Sequence, residues 1–170
     1  MAQTKELPWV AEARRHIGLA EVPGKQHNPV IVQWLMALKA WWRDDETPWC
    51  GTFVAHCCRV AGRTVPQHWY RALAWTDAGM RLSKPAYGCV VVFGRKGGGH
   101  VGFVVGQTES GDLLVLGGNQ GNQVSVARFP RARALAYVWP GVAGRRAVPD
   151  QRRYALPVLK HTGGYSRNEA

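Results

Sequence analysis

At Pro85 the hydrophobic pattern of this chain changes period, and that change restricts the folds open to it. Before Pro85 the apolar residues recur at helical spacing. After it come five short apolar runs, at 89–93, 101–105, 113–116, 124–126 and 135–139, separated by glycine-rich or polar turns. Helices first and short strands afterwards predict an α+β domain: N-terminal helices followed by a five- to six-stranded antiparallel sheet. No internal repeat or heptad pattern is present.

Residues 8–17 predict a first helix ended by Gly18, and Asn28-Pro29 supplies a cap and a first-turn proline for a second helix over 30–42. Thr47-Pro48 repeats that arrangement and predicts a third helix ending near Gly62. A shorter helical stretch is expected over 69–79. In the third helix Cys50 falls in the first turn, where unpaired N–H groups and the positive end of the helix dipole favour a thiolate. Further on, Gly97-Gly98-Gly99-His100 opens one strand run, and another ends at Gly117-Gly118-Asn119. A thiol at a helix start, an imidazole on a strand and a carboxamide at the next strand's end are the parts of a cysteine hydrolase. Cys50 would be the nucleophile, His100 the general base and acid, and Asn119 the group that orients the imidazole. The Cys50 backbone N–H would meet part of the oxyanion. Each residue alone has a plainer reading: a core thiol, a strand-edge histidine, a turn asparagine. Their order and context together favour catalysis. His56 lies two-thirds of a turn round the helix from Cys50 and points away from it, whereas His68, in a loop, stays a competitor.

The 170 residues suit one compact domain, and no apolar run is long enough to span a bilayer. Met1 to Leu7 is polar and lacks a secretory core, which implies release into the cytosol where it is made; if the protein works elsewhere, something else must carry it out. A net charge of +11 suits anionic envelope polymers, whereas no nucleic-acid-binding motif accompanies it. Cys57, Cys58 and Cys89 sit in apolar surroundings and read as core residues. A zinc site of His56, Cys57 and Cys89 lacks the usual ligand spacing, so neither metal nor cofactor is expected. Trp34 and Trp75 fit helix faces. Trp41, Trp42, Trp49 and Trp69 lie near element ends, where their rings could line a substrate groove. Trp49, Trp69 and Gly99 are the substrate-binding candidates.

Three blocks resemble the bacterial and phage cell-wall hydrolases of the NlpC/CHAP superfamily: Pro48-Trp49-Cys50-Gly51-Thr52-Phe53-Val54, Gly99-His100-Val101-Gly102-Phe103-Val104-Val105-Gly106 and Leu116-Gly117-Gly118-Asn119-Gln120. The segment from Glu12 through Gly18 and Glu21-Val22-Pro23-Gly24 is similar to a phage-associated subgroup. The resemblance covers about residues 8–140 and implies a papain-like core that hydrolyses amide bonds of peptidoglycan, as a monomeric phage or prophage endolysin reaching the wall after a holin opens the membrane. A delivered antibacterial toxin with the same chemistry, or a non-catalytic wall-binding protein, would share some of these features. Where many CHAP domains carry Glu two positions before the Asn, this chain has Gly117, which leaves Asn119 as the expected third member. The 141–170 segment carries six basic against two acidic residues and is expected to be a loosely ordered basic tail, unless 154–159 pack back on the domain.

Overall fold

The computed structural model describes residues 5–24, 26–161 and 164–166. The Met1–Thr4 part of the polar start and the last four residues of the tail lie outside them. Three helices, α1 (Pro8–Arg15), α2 (Pro29–Ala37) and α3 (Cys50–Val60), precede six strands: β1 (Gly79–Leu82), β2 (Val90–Arg95), β3 (Gly98–Gln107), β4 (Leu113–Gly117), β5 (Ser125–Phe129) and β6 (Ala134–Pro140). They form one antiparallel sheet in the order β1-β6-β2-β3-β4-β5, the expected α+β architecture. The strand that the periodicity hid is β1. It is four residues long, pairs with β6 at the sheet edge and is only half-buried at Met80 and Leu82. So short a run cannot show its period of two against the preceding turn.

The helices are shorter than their apolar runs. Lys39 adopts a left-handed backbone (φ +61°), so α2 stops at Ala37 and Trp41 and Trp42 fall in the loop beyond it. The 69–79 stretch forms only a 3-10 segment over Ala72–Asp77. α3 is buried from Cys50 to Cys58 and lies against the sheet. Trp9 anchors α1: its ring meets Trp139 edge-on at 5.3 Å, and its indole N–H donates to the Gly88 carbonyl at 2.8 Å. Cys57, Cys58 and Cys89 are free thiols with no exposed surface, and burial pushes Cys58 and Cys89 up to about 12.

A polar cluster sits inside the helical layer. Glu12 Oε2 accepts from Nε2 of both His16 and His56 at 2.9 Å, and the His56 ring stacks on Trp34. Burial alone would push the Glu12 carboxyl up. Hydrogen bonds from His56 and His16, with the charges of His56 and Arg15, outweigh it and bring the group down to about 2. Burial lowers His56, which favours its neutral ring. A depressed carboxyl stabilises the fold above its unfolded pKa of about 4.5, and that stabilisation is lost as pH falls toward 2. Glu12→Gln is therefore expected to lower stability at neutral pH and to make it fall less steeply between pH 5 and 3. The Glu12 contribution is on the order of 3 kcal/mol at most. Parallel pH titrations by circular dichroism check it, and superimposable slopes between pH 5 and 3 would refute it.

The C-terminal segment packs back rather than trailing loosely, where it is described. Leu156 is buried, Gln107 donates to the Pro157 carbonyl at 2.9 Å, and Leu159 returns a bond to Gln107 at 2.9 Å. Val158 thus bridges the exposed end of β3 in parallel. The apolar spacing of 154–159 outweighs the basic composition, since two backbone bonds and a buried leucine tie the segment down. Truncation after Arg146 is expected to lower the melting temperature by about 5 °C or more in a domain of this size. An unchanged melting temperature would return the segment to the status of a solvated tail.

Candidate active site

The third helix starts two residues later than its cap-like sequence suggests. Asp44 Oδ1 accepts the backbone N–H groups of Glu46 (3.1 Å) and Thr47 (2.7 Å), so Thr47 is spent on a side-chain-closed turn. Trp49 becomes the N-cap, with Phe53 N–H bonded to the Trp49 carbonyl at 3.0 Å, and Cys50 is the first residue of α3. Gly51 follows because a Cβ there would lie 2.2 Å from the Trp69 carbonyl oxygen, which crosses the start of the helix. The thiol is 5% exposed. Its burial pushes the pKa above the usual value. Backbone N–H groups of Val101, Gly51 and Cys50, together with the charge of Arg95, oppose the rise without cancelling it. This corrects the expectation that the helix start leaves the thiol more acidic than usual: desolvation wins.

The Val101 N–H at the thiol places α3 against the beginning of β3. His100 is held there by the β2–β3 hairpin, whose two-residue turn is Lys96-Gly97 and whose register sets His100 opposite Phe93. The imidazole is fully buried, nearly parallel to Phe129 at 5.5 Å and to Phe93 at 6.3 Å. Its Nε2 lies 2.9 Å from Oε1 of Gln120. That oxygen assignment follows from the other end of the carboxamide, whose nitrogen donates to the Val115 carbonyl (3.1 Å) and the Ser125 carbonyl (2.7 Å). Two carbonyls can be met only by an NH2, so the oxygen faces His100 and the Nε2 of His100 must carry the proton.

The carboxamide opposite His100 thus belongs to Gln120 rather than Asn119. Asn119 is 1% exposed, adopts a left-handed backbone (φ +59°), and its Oδ1 has no hydrogen-bond partner among the described residues. An imidazole N–H needs an oxygen acceptor, and Asn119 does not offer its own. Gly117 is what admits Gln120: a Cβ at 117 would stand 2.4 Å from Gln120 Oε1 and 3.5 Å from His100 Nε2. The position where the resemblance leads one to expect an acid is filled by the glutamine side chain from three residues on. The glycine at 117 was the available sequence signal, but neither composition nor spacing says which neighbour fills the space.

Cys50 opens onto a cleft of about 580 Å³ whose walls include Gly97, Gly98, Gly99, Arg95, His68, Tyr70 and Arg71. Of the substrate-binding candidates, only Gly99 lines it. Trp49 is 1% exposed, and its indole N–H donates to Glu21 at 2.8 Å, which makes it a core residue. Trp69 is also buried and stacks beneath Trp42 at 5.7 Å. His68 reaches the cleft, with Nδ1 3.0 Å from the Tyr70 hydroxyl. His56 is turned to Glu12 and His16, and these three, not the sequence-derived His56, Cys57 and Cys89, bring metal-ligating atoms together among the described residues.

Residues 42–119 match the CHAP domain. The match spans Cys50, Gly99 and His100 and ends on Asn119, one residue before the glutamine that faces the imidazole. No curated protein and no solved structure matches the chain. The helices and six-stranded antiparallel sheet are consistent with a CHAP core of papain-like type, and the CHAP domain points to peptidoglycan hydrolysis. No helix among the described residues is long and apolar enough to cross a membrane.

Proposed function

We propose that this CHAP-domain protein cleaves amide bonds of peptidoglycan by cysteine nucleophilic catalysis, with Cys50, His100 and Gln120 as its working set. The observation that carries the reading is the Gln120 carboxamide, locked by two carbonyls, which fixes the proton of His100 on Nε2. Nδ1 is then the basic nitrogen of the neutral ring. In this reading Nδ1 takes the Cys50 proton as Sγ attacks the substrate carbonyl, and the imidazolium is stabilised by the Gln120 oxygen. The amide C–N bond breaks as the imidazolium gives its proton to the leaving amine, leaving a thioester on Cys50. Water, deprotonated by His100, attacks that thioester and releases the acid and the free thiol. Backbone N–H groups at the start of α3 supply oxyanion stabilisation. Asn119, buried at the same corner, serves as a secondary polar group of the site. The scheme needs no metal or cofactor.

The physiological setting we propose is that of a phage or prophage endolysin, made in the cytoplasm and acting on the wall after a holin-type or secretion-type release. A net charge of +11 supports attraction to anionic envelope polymers. Incubation of the purified protein with sacculi, followed by assay of newly exposed amines and carboxylates, tests the activity. Absence of both in folded wild-type protein, or unchanged release by folded Cys50→Ala, would overturn it.

A further inference from the structure

The chemistry above leaves unused a group of aromatic rings beside the cleft. Trp41 is 89% exposed and Tyr70 is 37% exposed, unusual for rings of this size. Both stand nearly perpendicular to Trp42, with interplanar angles of 73° and 83° and centroids 5.4 and 5.5 Å away. Trp42 is backed by Trp69, so the surface is firmly supported. These three rings, with Asp44, Thr47 and Pro48, line a hollow of about 520 Å³. Pro48 and Tyr70 also line the Cys50 cleft, so the two spaces meet two residues from the thiol. Their chemistry differs. Among the described lining residues the cleft carries Arg71 and Arg95 and no carboxylate, whereas the aromatic hollow carries Asp44, with Arg71 reaching it only over the Tyr70 ring at 5.7 Å.

We infer that Trp41, Trp42 and Tyr70 form a subsite for a sugar ring of the glycan strand, while the stem peptide runs past Arg71 and Arg95. Ring faces take the C–H face of a pyranose, and Asp44 accepts from its hydroxyl or N-acyl N–H groups. The arginines suit the free carboxylates of the peptide. This inference rests on the hydrolase reading and adds which bond is cut. With sugar on one side of Cys50 and peptide on the other, the amide presented to the thiol is the one joining the sugar's lactyl group to the first amino acid. Sγ adds to the lactyl carbonyl, the C–N bond breaks, the peptide leaves as an amine protonated by His100, and water releases the sugar-borne carboxylate.

Mass spectrometry of a wild-type digest of sacculi is expected to show peptide-free glycan and stem peptides intact from their first residue. Cleavage within the stem peptide or cross-bridge would overturn the inference while leaving the hydrolase reading in place. Failure of folded wild-type protein to release any fragment would instead overturn that reading. Trp41→Ala is expected to raise KM for a soluble disaccharide-peptide about 2- to 10-fold with kcat nearly unchanged. Alkylation of Cys50 by iodoacetamide should proceed at the wild-type rate. An unchanged KM, or a wild-type dimer in sedimentation that Trp41→Ala converts to monomer, would assign the aromatic patch to another role.

Discussion

Cys50→Ala is expected to abolish release of fragments from sacculi, a loss on the order of 10⁴-fold or more, in a protein that still folds. Cys57→Ala, Cys58→Ala and Cys89→Ala should stay active and lose stability instead. The three core thiols have no exposed surface, whereas Cys50 lines the cleft. Iodoacetamide should therefore modify Cys50 first. Its pH dependence carries a sign that separates two accounts of the thiol. Burial raises the Cys50 pKa above that of an ordinary thiol, so the thiolate fraction and the labelling rate should keep climbing through the alkaline range where an exposed thiol has levelled off. A rate that levels off below pH 8 would show that an imidazolium partner, rather than desolvation, governs the free enzyme. Equal labelling of Cys89 and Cys50 in folded protein would remove Cys50 from its role.

The sheet was legible because each strand run is bounded by glycines or polar turns and holds enough branched residues to exclude a helix. β1 was not, because an edge strand of four residues with Arg81 between Met80 and Leu82 carries too little pattern. Thr47-Pro48 looked like a helix start in isolation, yet the Asp44 side chain captures the Thr47 N–H, a competition that propensity does not rank. Cys50 and His100 could be singled out because each has a local signature: a helix start and a glycine-opened strand. The acceptor for His100 could not. It depends on where a carboxamide points after a tight turn, and Asn119 and Gln120 are adjacent residues with the same functional group. Only the carbonyls of Val115 and Ser125, brought together by the β4–β5 pairing, decide between them. The acidity of the thiol is not legible either, since sequence shows the helix end but not the depth at which it is buried.

His100→Ala is expected to cost on the order of 10²–10⁴ in kcat, because it removes the group that carries the proton between Sγ and the leaving amine; a comparable loss in His68→Ala would reassign the base. Gln120→Ala should cost less, about 10- to 100-fold, since a ring freed of its acceptor still samples the productive tautomer. It also leaves the Val115 and Ser125 carbonyls without their donor, so a lower melting temperature is expected and cannot by itself separate orientation from packing. Two further variants do. Gly117→Ala puts a methyl where Gln120 Oε1 now lies, which should displace the carboxamide and reduce kcat while all three hydrogen-bonding residues remain in the sequence. Gln120→Glu keeps an oxygen facing Nε2 but adds a charge. A carboxylate there favours the imidazolium and raises the His100 pKa, and because catalysis begins from the neutral ring, the acid limb of the kcat/KM profile should move to higher pH. Asn119→Ala should leave that limb in place. If Asn119→Asp shifts the acid limb and Gln120→Glu does not, the orienting role returns to Asn119, and the contact between His100 and Gln120 is a packing feature alone.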